Sequence, residues 1–469
     1  MPDLRLGDVL RACNGMLHGA RLDPTWAREV RFSSVVTDSR EAVPGSLFVA
    51  LRGERADGHD FVGEATRRGA AGAMVSRVPS GAEELRIPLI IVEDTLKALG
   101  ALASAYRLRF NPLVVGITGS VGKTTTKEMT AAVLGVKHRV LKTEGNMNTE
   151  IGVPLTVFRL TDDHDVAVFE MAMRARGEIA WLAGIARPRI GVITNIGETH
   201  LERLGSRENI ALAKAELLEA LPEDGCAVLN GDNEWVRWVR DKARCRSVYY
   251  GMTPSCEVTA EDVRSGPDGT RFRLKTPSGT ADCFITIPGE HHVYNALAAA
   301  TVGLNSGLDP SEVSEGLGRF RTGRMRSEVL EADGVTIIND AYNASPVSTK
   351  AALQVLKTLA RGRAIAVLGN MLELGEYAVQ GHREVGLEAA RLKLDLLVTV
   401  GDLAENIADA AISAGMNAGS VIACGTKEEA VKLLRERVRP GDTVLVKGSR
   451  GMKMERIIEG LTGSGGTAG

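Results

Sequence analysis

A segment near position 120 combines an apolar run, closely spaced glycines and a Gly-Lys-Thr triplet. Residues 114–118 are typical of a buried strand, and residues 127–134 have helical spacing. The turn between them could bind phosphate through Gly119, Ser120, Gly122, Lys123, Thr124 and Thr125. Glycines let the backbone wrap around an anion, Lys123 can reach the outer phosphates, and the Thr124 hydroxyl can reach Mg²⁺. The segment therefore predicts a site for a nucleotide with magnesium.

The glycine spacing departs from the usual phosphate-loop pattern, G-x-x-x-x-G-K-[ST]. That pattern requires glycine at position 117, where this chain has Ile117, and its glycines stand at positions 116, 119 and 122 instead. The alternative is an ordinary glycine-rich turn. We favour the phosphate loop because Gly-Lys-Thr lies at the required point between strand and helix.

Composition limits the classes of function. The chain has 469 residues, enough for about three domains, and a formal net charge of −2 without a long basic run, which argues against nucleic acid as the main partner. The six cysteines form no C-x-x-C pair, so neither a zinc site nor a disulfide framework is indicated. We found no signal peptide and no apolar run of the ~20 residues that a membrane span needs. A cytoplasmic protein without membrane insertion is expected.

The order of apolar runs predicts three α/β domains. Residues 1–94 form a small α/β domain, residues 95–324 a central domain with a mostly parallel sheet, and residues 325–469 a Rossmann-like domain. Within the central domain, residues 247–288 consist of short alternating segments separated by turns rich in glycine and proline. This pattern predicts an antiparallel hairpin added to the parallel sheet. In the last domain strands are expected near 335–339, 363–368, 395–399, 419–423 and 442–447. This domain lacks G-x-G-x-x-G, so we assign it no dinucleotide.

Two polar residues follow predicted strands of the central domain. Glu170 ends an apolar strand, where an unpaired carboxylate would be costly, and a Mg²⁺ held partly by Thr124 would explain it. A salt bridge at the strand end is the alternative. His200 lies just past another strand, although a lone histidine is more often structural. Because ligands gather beyond the carboxyl ends of parallel strands, the phosphate loop, Glu170 and residues 195–200 should face one crevice.

Lys214 occupies an unusual position in a predicted helix over residues 206–221. The apolar stripe of this helix runs through Ile210, Leu217 and Leu221, which places Lys214 on the core-facing side. Burial lowers the pKa of a lysine, and a neutral amine can react with CO₂ to give a carbamate able to bind a metal. A lysine that extends its ammonium to solvent is the alternative.

Two polar clusters stand out in the first domain. Thr37 to Arg40 and Asp57 to Asp60 each combine carboxylate and basic groups suited to a polar ligand. Taken alone, such clusters are turns more often than sites.

Several stretches together resemble the Mur ligase family, the ATP-dependent amide-forming ligases of bacterial cell-wall precursor synthesis. The resemblance runs along nearly the whole chain. It is carried by T-G-x-x-G-K-T at 118–124, the run from Glu144 to Thr156, Gly289 to Asn295, Gly323-Arg324, D-A-Y-N-A at 340–344 and K-G-S-R at 447–450.

The resemblance implies roles for the metal and phosphate groups. Lys123 and Thr124 are then ligands of phosphate and Mg²⁺, and Glu170 is a ligand of the first Mg²⁺. His200 and a carbamylated Lys214 would bind or support a second Mg²⁺. Lys123, His200 and Lys214 form the expected catalytic set.

The resemblance also implies contacts to nucleotide and substrate. Asn295 would lie at the adenine, with His292 where the family usually has asparagine, and Arg324 would reach ATP from the domain junction. Asp340 and Asn343 belong to the stretch through which the last domain closes on the nucleotide. Substrate-binding positions are expected at Ser39, Arg40, Asp57, His59, Asn146, Asn148, Lys447, Ser449 and Arg450.

The implied reaction joins D-Ala-D-Ala to UDP-N-acetylmuramoyl-tripeptide. The peptide carboxylate attacks the γ-phosphate of ATP to give an acyl phosphate, and the dipeptide amine then expels phosphate. A monomer is expected. Alternatives are a Mur-type or folylpolyglutamate-type ligase with another amino acceptor, or a nucleotide-gated binding protein that hydrolyses ATP slowly.

Overall fold

The structure, a computed structural model, describes residues 3–18 and 29–463. Within these ranges three larger sheets, of five, nine and six strands, follow one another along the chain, beside a two-stranded sheet near the N-terminus. The outer limits of the predicted domains, residues 1 and 469, lie outside the described ranges. The limits 1–94, 95–324 and 325–469 stay proposals.

The first unit is a small α/β layer. Strands β4 to β7 are parallel and β2 is antiparallel to β7, while β1 and β3 pair separately. Its strands are β1 (Leu4–Arg5), β2 (Met16–His18), β3 (Arg31–Phe32), β4 (Ser34–Val36), β5 (Ser46–Val49), β6 (Gly72–Val75) and β7 (Leu89–Ile91), and its helices are α1 (Leu6–Cys13) and α2 (Val62–Arg67).

The central sheet is mostly parallel, as predicted. Its strand order is β16-β15-β14-β13-β12-β11-β8-β10-β9, and only β14 to β16 pair antiparallel, so the antiparallel addition begins later than the predicted residue 247. The strands are β8 (Leu113–Thr118), β9 (Val140–Lys142), β10 (Val166–Glu170), β11 (Ile190–Ile193), β12 (Cys226–Asn230), β13 (Arg246–Gly251), β14 (Val258–Gly266), β15 (Gly269–Thr276) and β16 (Gly279–Ile285).

Helices cover both faces of the central sheet. One face packs with α3, α6 and α8 into a core that also includes Leu6 and Met74 of the first unit, and the other face packs with α4, α10 and α11. The helices of this region are α3 (Thr95–Arg107), α4 (Lys123–Leu134), α5 (Gly152–Val157), α6 (Glu178–Ala186), α7 (Leu201–Leu204), α8 (Arg207–Glu219), α9 (Glu234–Trp238), α10 (His291–Asn305) and α11 (Pro310–Arg319).

The third unit is a six-stranded sheet with an apolar core on each face. Its strand order is β17-β18-β22-β19-β20-β21, and only β17 runs antiparallel. The elements are β17 (Glu328–Ala332), β18 (Val335–Asp340), α12 (Pro346–Leu359), β19 (Ala364–Gly369), α13 (Ala378–Arg391), β20 (Leu396–Val400), α14 (Glu405–Ser413), β21 (Val421–Cys424), α15 (Lys427–Arg437), β22 (Thr443–Lys447) and α16 (Glu455–Thr462).

Short 3₁₀ segments connect several elements. They are Ser39–Glu41, Gly58–Phe61, Ala82–Glu84, Arg240–Lys242, Gly375–Tyr377, Ala418–Ser420 and Arg450–Met452. Among the helices of the described ranges, none combines the length and the apolar character needed to cross a membrane.

Helix α4, which follows the phosphate loop, packs closely against α10 and α11. Two glycines allow this approach: a Cβ atom on Gly303 would lie 2.6 Å from Val133 Cγ1, and one on Gly316 would lie 2.4 Å from Val133 Cα. Gly318, on the same helix as Gly316, has open space at the corresponding point. The position of α4 therefore depends on the absence of a side chain at Gly316.

We expect Gly316→Ala to destabilise the protein by about 1–3 kcal/mol, because the added methyl group meets backbone atoms that cannot move freely. The control Gly318→Ala adds the same methyl group in open space and should be neutral or stabilising by up to about 1 kcal/mol. Urea unfolding measures both. Equal effects of the two substitutions would contradict the close packing of α4.

Candidate active site

The turn between β8 and α4 has a backbone that only glycine can adopt at two positions. Gly119 has φ +151° and Gly122 has φ +85°. A Cβ atom would lie 1.9 Å from Thr194 Oγ1 at the first position and 2.4 Å from Asn295 Oδ1 at the second. Ile117, which occupies the position of the expected glycine, is instead a buried residue of β8. The unusual glycine spacing thus follows from a turn that starts later.

The residues after β11 hold this turn. Val121 N–H donates to Asn195 Oδ1 at 2.8 Å, while Asn195 Nδ2 and Thr194 Oγ1 donate to the Val121 carbonyl at 3.1 and 2.6 Å. Ser120 N–H donates to the Asn195 carbonyl at 2.9 Å. The residues that follow β11 therefore fix the phosphate loop, which follows the neighbouring strand β8.

Lys123 begins α4 and points back into the turn. Its Nζ donates to the Gly119 carbonyl at 2.7 Å. Burial lowers the pKa of Lys123, the nearby Glu170 carboxylate opposes this change, and Arg326 adds to it. Lys123 is therefore a half-buried cation with a backbone carbonyl as its hydrogen-bond acceptor, placed to exchange that carbonyl for a phosphate oxygen.

Glu170 is buried at the end of β10, opposite the start of α4. Its Oε1 accepts from Thr124 Oγ1 at 3.1 Å and from Asn148 Nδ2 at 2.7 Å. Its Oε2 lacks a hydrogen-bond partner in the part of the chain that the structure describes. A buried carboxylate that lacks a full set of hydrogen bonds in this way suits a nearby cation.

The donor set fits Mg²⁺ bound together with a nucleotide. Thr124 and Glu170 offer a hydroxyl and a carboxylate, and Mg²⁺ commonly takes one or two such protein ligands with phosphates and water. Residues 3–18 and 29–463 contain no group of three or more His, Cys, Asp or Glu side chains that could hold a metal ion by themselves. The arrangement therefore depends on phosphate oxygens to complete the coordination.

The two remaining members of the predicted catalytic set lie in different surroundings. His200 precedes α7 with φ +64°, and its Nδ1 lies 2.8 Å from Glu373 Oε2 of the third unit, without hydrogen-bond geometry. Lys214 is buried on α8, and burial, with a smaller contribution from the charge of Lys123, lowers its pKa well below the usual value. His200 thus contacts the third unit, while Lys214 is buried within the central unit.

A cavity of about 510 Å³ lies between the central and third units. The predicted residues on its wall are Ser120, Gly122, Lys123, Thr124, Thr125, Asn148, Glu170, His200, His292, Asn295, Asp340, Asn343 and Lys447. Gly119 contributes the carbonyl that accepts from Lys123. Lys214 is not part of this wall.

The far side of the cavity is built on α10. Asn295 Oδ1 accepts from Thr126 Oγ1 at 3.2 Å, and its Nδ2 lies 3.2 Å from His292 Nδ1. Burial, with the charges of His291 and Lys447, holds the pKa of His292 well below its usual range. His292 is therefore a neutral ring that orients Asn295.

The third unit presents one buried ion pair to the cavity. Lys447 Nζ donates to Asp340 Oδ2 and, at 2.9 Å, to the Asn343 carbonyl. Ser449 Oγ accepts from Leu372 N–H at 2.9 Å, so its side chain joins two loops of this unit.

A second cavity of about 450 Å³ adjoins the first, and Thr124 and Thr125 line both. Arg324 lines only this second cavity, whereas Arg326 lines both, with its guanidinium carbon 3.9 Å from the centre of the Tyr342 ring. The other polar residues on its wall are Asn146, Lys127, Glu128, Thr322, Tyr342 and Arg450.

The four candidates of the first unit are engaged in local contacts. His59 Nδ1 lies 2.6 Å from Asp57 Oδ1, and its Nε2 accepts from Ser76 N–H at 2.9 Å. Ser39 Oγ donates to Glu64 Oε2 at 3.2 Å, and Arg40 pairs with Asp38. Neither of the two cavities, as far as the described residues define them, is lined by these side chains. Their role in binding a UDP-sugar stays a prediction.

Sequence reasoning did not single out several residues of the cavity. They are Thr194, Asp232, Tyr294 and Arg326, whereas Asn195 belongs to the stretch 195–200 that was expected to face the crevice. Asp232, which accepts from the Tyr294 hydroxyl at 3.1 Å, follows β12 directly, so the strand-end rule that selected Glu170 also applies to it. No sequence signal distinguishes Arg326 from Arg324.

This geometry is that of a phosphate-loop enzyme whose third unit forms one wall of the nucleotide cavity. Three family models match the chain: "Mur ligase family, catalytic domain" at residues 31–107, "Mur ligase middle domain" at 117–303 and "Mur ligase, glutamate ligase domain" at 323–450.

Relatives and solved structures agree with these models. The chain is similar to the UDP-N-acetylmuramoyl-tripeptide–D-alanyl-D-alanine ligases of Bacillus subtilis (41% identical, covering 95% of this chain and 96% of the relative) and Escherichia coli (36%, covering 98% of each). It also resembles the crystal structure of MurF from Acinetobacter baumannii (TM-score 0.90, 30% identical, covering 98% and 99%). The MurF ligase of Thermotoga maritima in complex with ADP is similar as well (TM-score 0.81, 31% identical, covering 92% and 97%).

The chain therefore belongs to the Mur ligase family. The predictions of a three-domain α/β Mur ligase fold and of an ATP-dependent ligase are confirmed.

We expect Asn195→Ala to weaken binding of an ATP analogue about tenfold, because Val121 loses both of its hydrogen bonds to the Asn195 side chain and keeps only the one from Thr194. Asn305→Ala is the control, since the Asn305 amide donates only within α10, to the Thr301 carbonyl. Titration with a fluorescent, non-hydrolysable ATP analogue measures both affinities. An unchanged affinity of the Asn195 variant would contradict the role of this residue.

Proposed function

We propose that the protein joins D-Ala-D-Ala to UDP-N-acetylmuramoyl-tripeptide at the expense of ATP, which becomes ADP and phosphate, in peptidoglycan precursor synthesis. The observation that carries this proposal is the meeting of Lys123, Thr124 and Glu170 in one cavity that the third unit walls off. The choice of substrates rests on the relatives, whose names specify these two compounds.

The phosphate loop binds and orients the triphosphate. Backbone N–H groups at the start of α4 face the phosphates, and Lys123 leaves the Gly119 carbonyl to bind the outer phosphate. Thr124 and Glu170 would hold Mg²⁺, which offsets the negative charge of the phosphates when it is bound. These contacts reduce the repulsion between ATP and an approaching carboxylate, which is the main obstacle to the first step.

The reaction then has two steps. A carboxylate oxygen of the tripeptide forms a bond to the γ-phosphorus while the bond to the β-phosphate oxygen breaks, so ADP leaves and an acyl phosphate remains. The dipeptide amine next attacks the acyl carbon, a C–N bond forms, phosphate leaves and the amine gives up a proton. Closure of the third unit over the cavity excludes water that would hydrolyse the acyl phosphate.

The second cavity suits the acceptor dipeptide. It adjoins the first cavity at Thr124 and carries Arg324, Arg450 and Asn146. Arg450 is paired with Glu455, whereas Arg324 makes no ion pair within the described ranges, so the charge of Arg324 is available to the terminal carboxylate of a dipeptide. An acceptor bound there has its amine directed toward the phosphate loop.

The acceptor assay tests the proposed function. With ATP, Mg²⁺ and UDP-N-acetylmuramoyl-tripeptide, we expect D-Ala-D-Ala to release phosphate in step with product, because only the complete set of substrates passes both steps. Lys123→Met is the inactive comparison, and Lys137→Met, which removes a surface lysine paired with Glu312, is its control.

Other results would select an alternative function. Release of phosphate with single amino acids but not with the dipeptide would indicate a ligase with another acceptor. Release of phosphate without any UDP-sugar peptide would favour a nucleotide-gated binding protein.

We also propose that Lys214 is carbamylated and supports a second Mg²⁺ together with His200. Support comes from its burial on a core-facing side of α8, which lowers its pKa well below the usual value. A carbamate would convert a buried amine into an oxygen ligand.

We expect Lys214→Ala to abolish turnover and to remove a carbamate signal that ¹³C NMR detects in the unaltered protein supplied with ¹³C-bicarbonate. Lys97→Ala, in an exposed part of α3, should change neither. Full activity of the Lys214→Ala variant would contradict the proposed carbamate. The absence of the ¹³C carbamate signal from the unaltered protein would also contradict it.

The remaining expectations are proposals of the same kind. We propose that the enzyme is a monomer and acts in the cytoplasm. Its six cysteines, all within the described ranges, are free, which suits a reducing compartment.

A further inference from the structure

Lys127 is a buried cation that the proposed mechanism does not use. It lies on α4 one turn after Lys123, and its side chain is completely shielded from solvent. Its Nζ lies 3.0 Å from Glu128 Oε1 and 3.9 Å from Glu170 Oε2, but makes no hydrogen bond within the described residues. Glu170 Oε2 is the other unpaired atom at this place. Two buried groups of opposite charge therefore face each other.

The four charged groups here form an alternating row. Lys142 contacts Glu128 Oε2, Lys127 lies near Glu128 Oε1, and Glu170 lies at the inner end. The exposed fraction of the side chains falls from 39% at Lys142 and 23% at Glu128 to 0% at Lys127 and 2% at Glu170. Glu128 has Lys142 as a second partner on the solvent side, whereas Lys127 is the one cation that forms an ion pair with Glu170 among the described residues.

A buried lysine without hydrogen bonds is costly, and an apolar side chain of the same length would fill this position on α4 more favourably. Its charge is explained if it acts on Glu170. Thr124 and Asn148 both donate to Oε1 of Glu170, so that oxygen belongs to the nucleotide cavity. A cation beside Oε2 holds the second oxygen away from the cavity and fixes the rotation of the carboxylate.

We propose that Lys127 is a positioning residue for the magnesium site: its ammonium holds Glu170 Oε2 so that Oε1 faces Thr124 and the bound nucleotide. This inference rests on the proposed function, in which Glu170 is a ligand of Mg²⁺. Lys127 lines the second cavity but not the nucleotide cavity, and it acts on the magnesium site through Glu170. Outer partners that orient a metal ligand commonly change metal affinity by about 10–100-fold when they are removed.

Two matched substitutions in the full chain test this role. Lys127→Met and Lys142→Met each remove one lysine charge beside Glu128, but only Lys127 also faces Glu170. A fluorescent, non-hydrolysable ATP analogue is titrated at a series of Mg²⁺ concentrations. We expect the half-saturating Mg²⁺ concentration to rise about tenfold in Lys127→Met. It should stay near the original value in Lys142→Met and in Lys127→Arg, which keeps the cation.

Equal Mg²⁺ dependence of Lys127→Met and Lys142→Met would overturn the inference while leaving the proposed function intact. Nucleotide binding by the unaltered protein that does not depend on Mg²⁺ would overturn the magnesium site and this inference with it. If Lys127→Met does not fold, the double variant Lys127→Met/Glu170→Gln decides. Recovery of folding supports the compensation of Glu170 by Lys127, and a double variant that still fails to fold refutes it.

Discussion

The interaction on which the site depends is that between the strand-to-helix turn after Thr118 and a triphosphate. The protein alone leaves this region incompletely paired: half-buried Lys123 has only a backbone carbonyl as its acceptor, and the Glu170 oxygen that faces the cavity receives only hydrogen bonds from Thr124 and Asn148 in the described chain. Buried charges are tolerated in proteins when a partner compensates them. Nucleotide phosphates and magnesium supply both kinds of partner at once.

The rest of the central unit keeps this turn in place. Thr194 and Asn195 bind it from the neighbouring strand, and the packing of α4 on Gly303 and Gly316 fixes the helix that follows. The third unit then covers the turn, with the Lys447–Asp340 pair on one side and the contact between His200 and Glu373 on another. A site that must exclude water during a two-step reaction is thus assembled from separate units.

Local patterns were sufficient to predict the phosphate loop and the parallel sheets. A strand, a glycine turn and a helix are contiguous in sequence, and parallel strands bring their carboxyl ends to one edge. That rule places Glu170 near Thr124 although 46 positions separate them. In the third unit the five predicted strands exist, but β17 was missed because Glu328 and Glu331 leave only two consecutive apolar residues in it.

Side-chain directions could not be predicted in the same way. Arg324 and Arg326 are two positions apart, and only the fold decides that Arg326 faces the nucleotide cavity. Asp57 and His59 have residue types suited to a ligand, yet the structure connects them with each other and with Ser76. The alternating row from Lys142 to Glu170 joins a helix to two strands, so no single stretch of sequence contains it.

The most direct test of the account follows the oxygen of the substrate carboxylate. UDP-N-acetylmuramoyl-tripeptide labelled with ¹⁸O in its terminal carboxylate is converted with ATP, Mg²⁺ and D-Ala-D-Ala, and the released phosphate is examined by ³¹P NMR. Activation by the triphosphate in this cavity predicts that each phosphate carries one ¹⁸O atom. Unlabelled phosphate formed together with amide product would contradict the account.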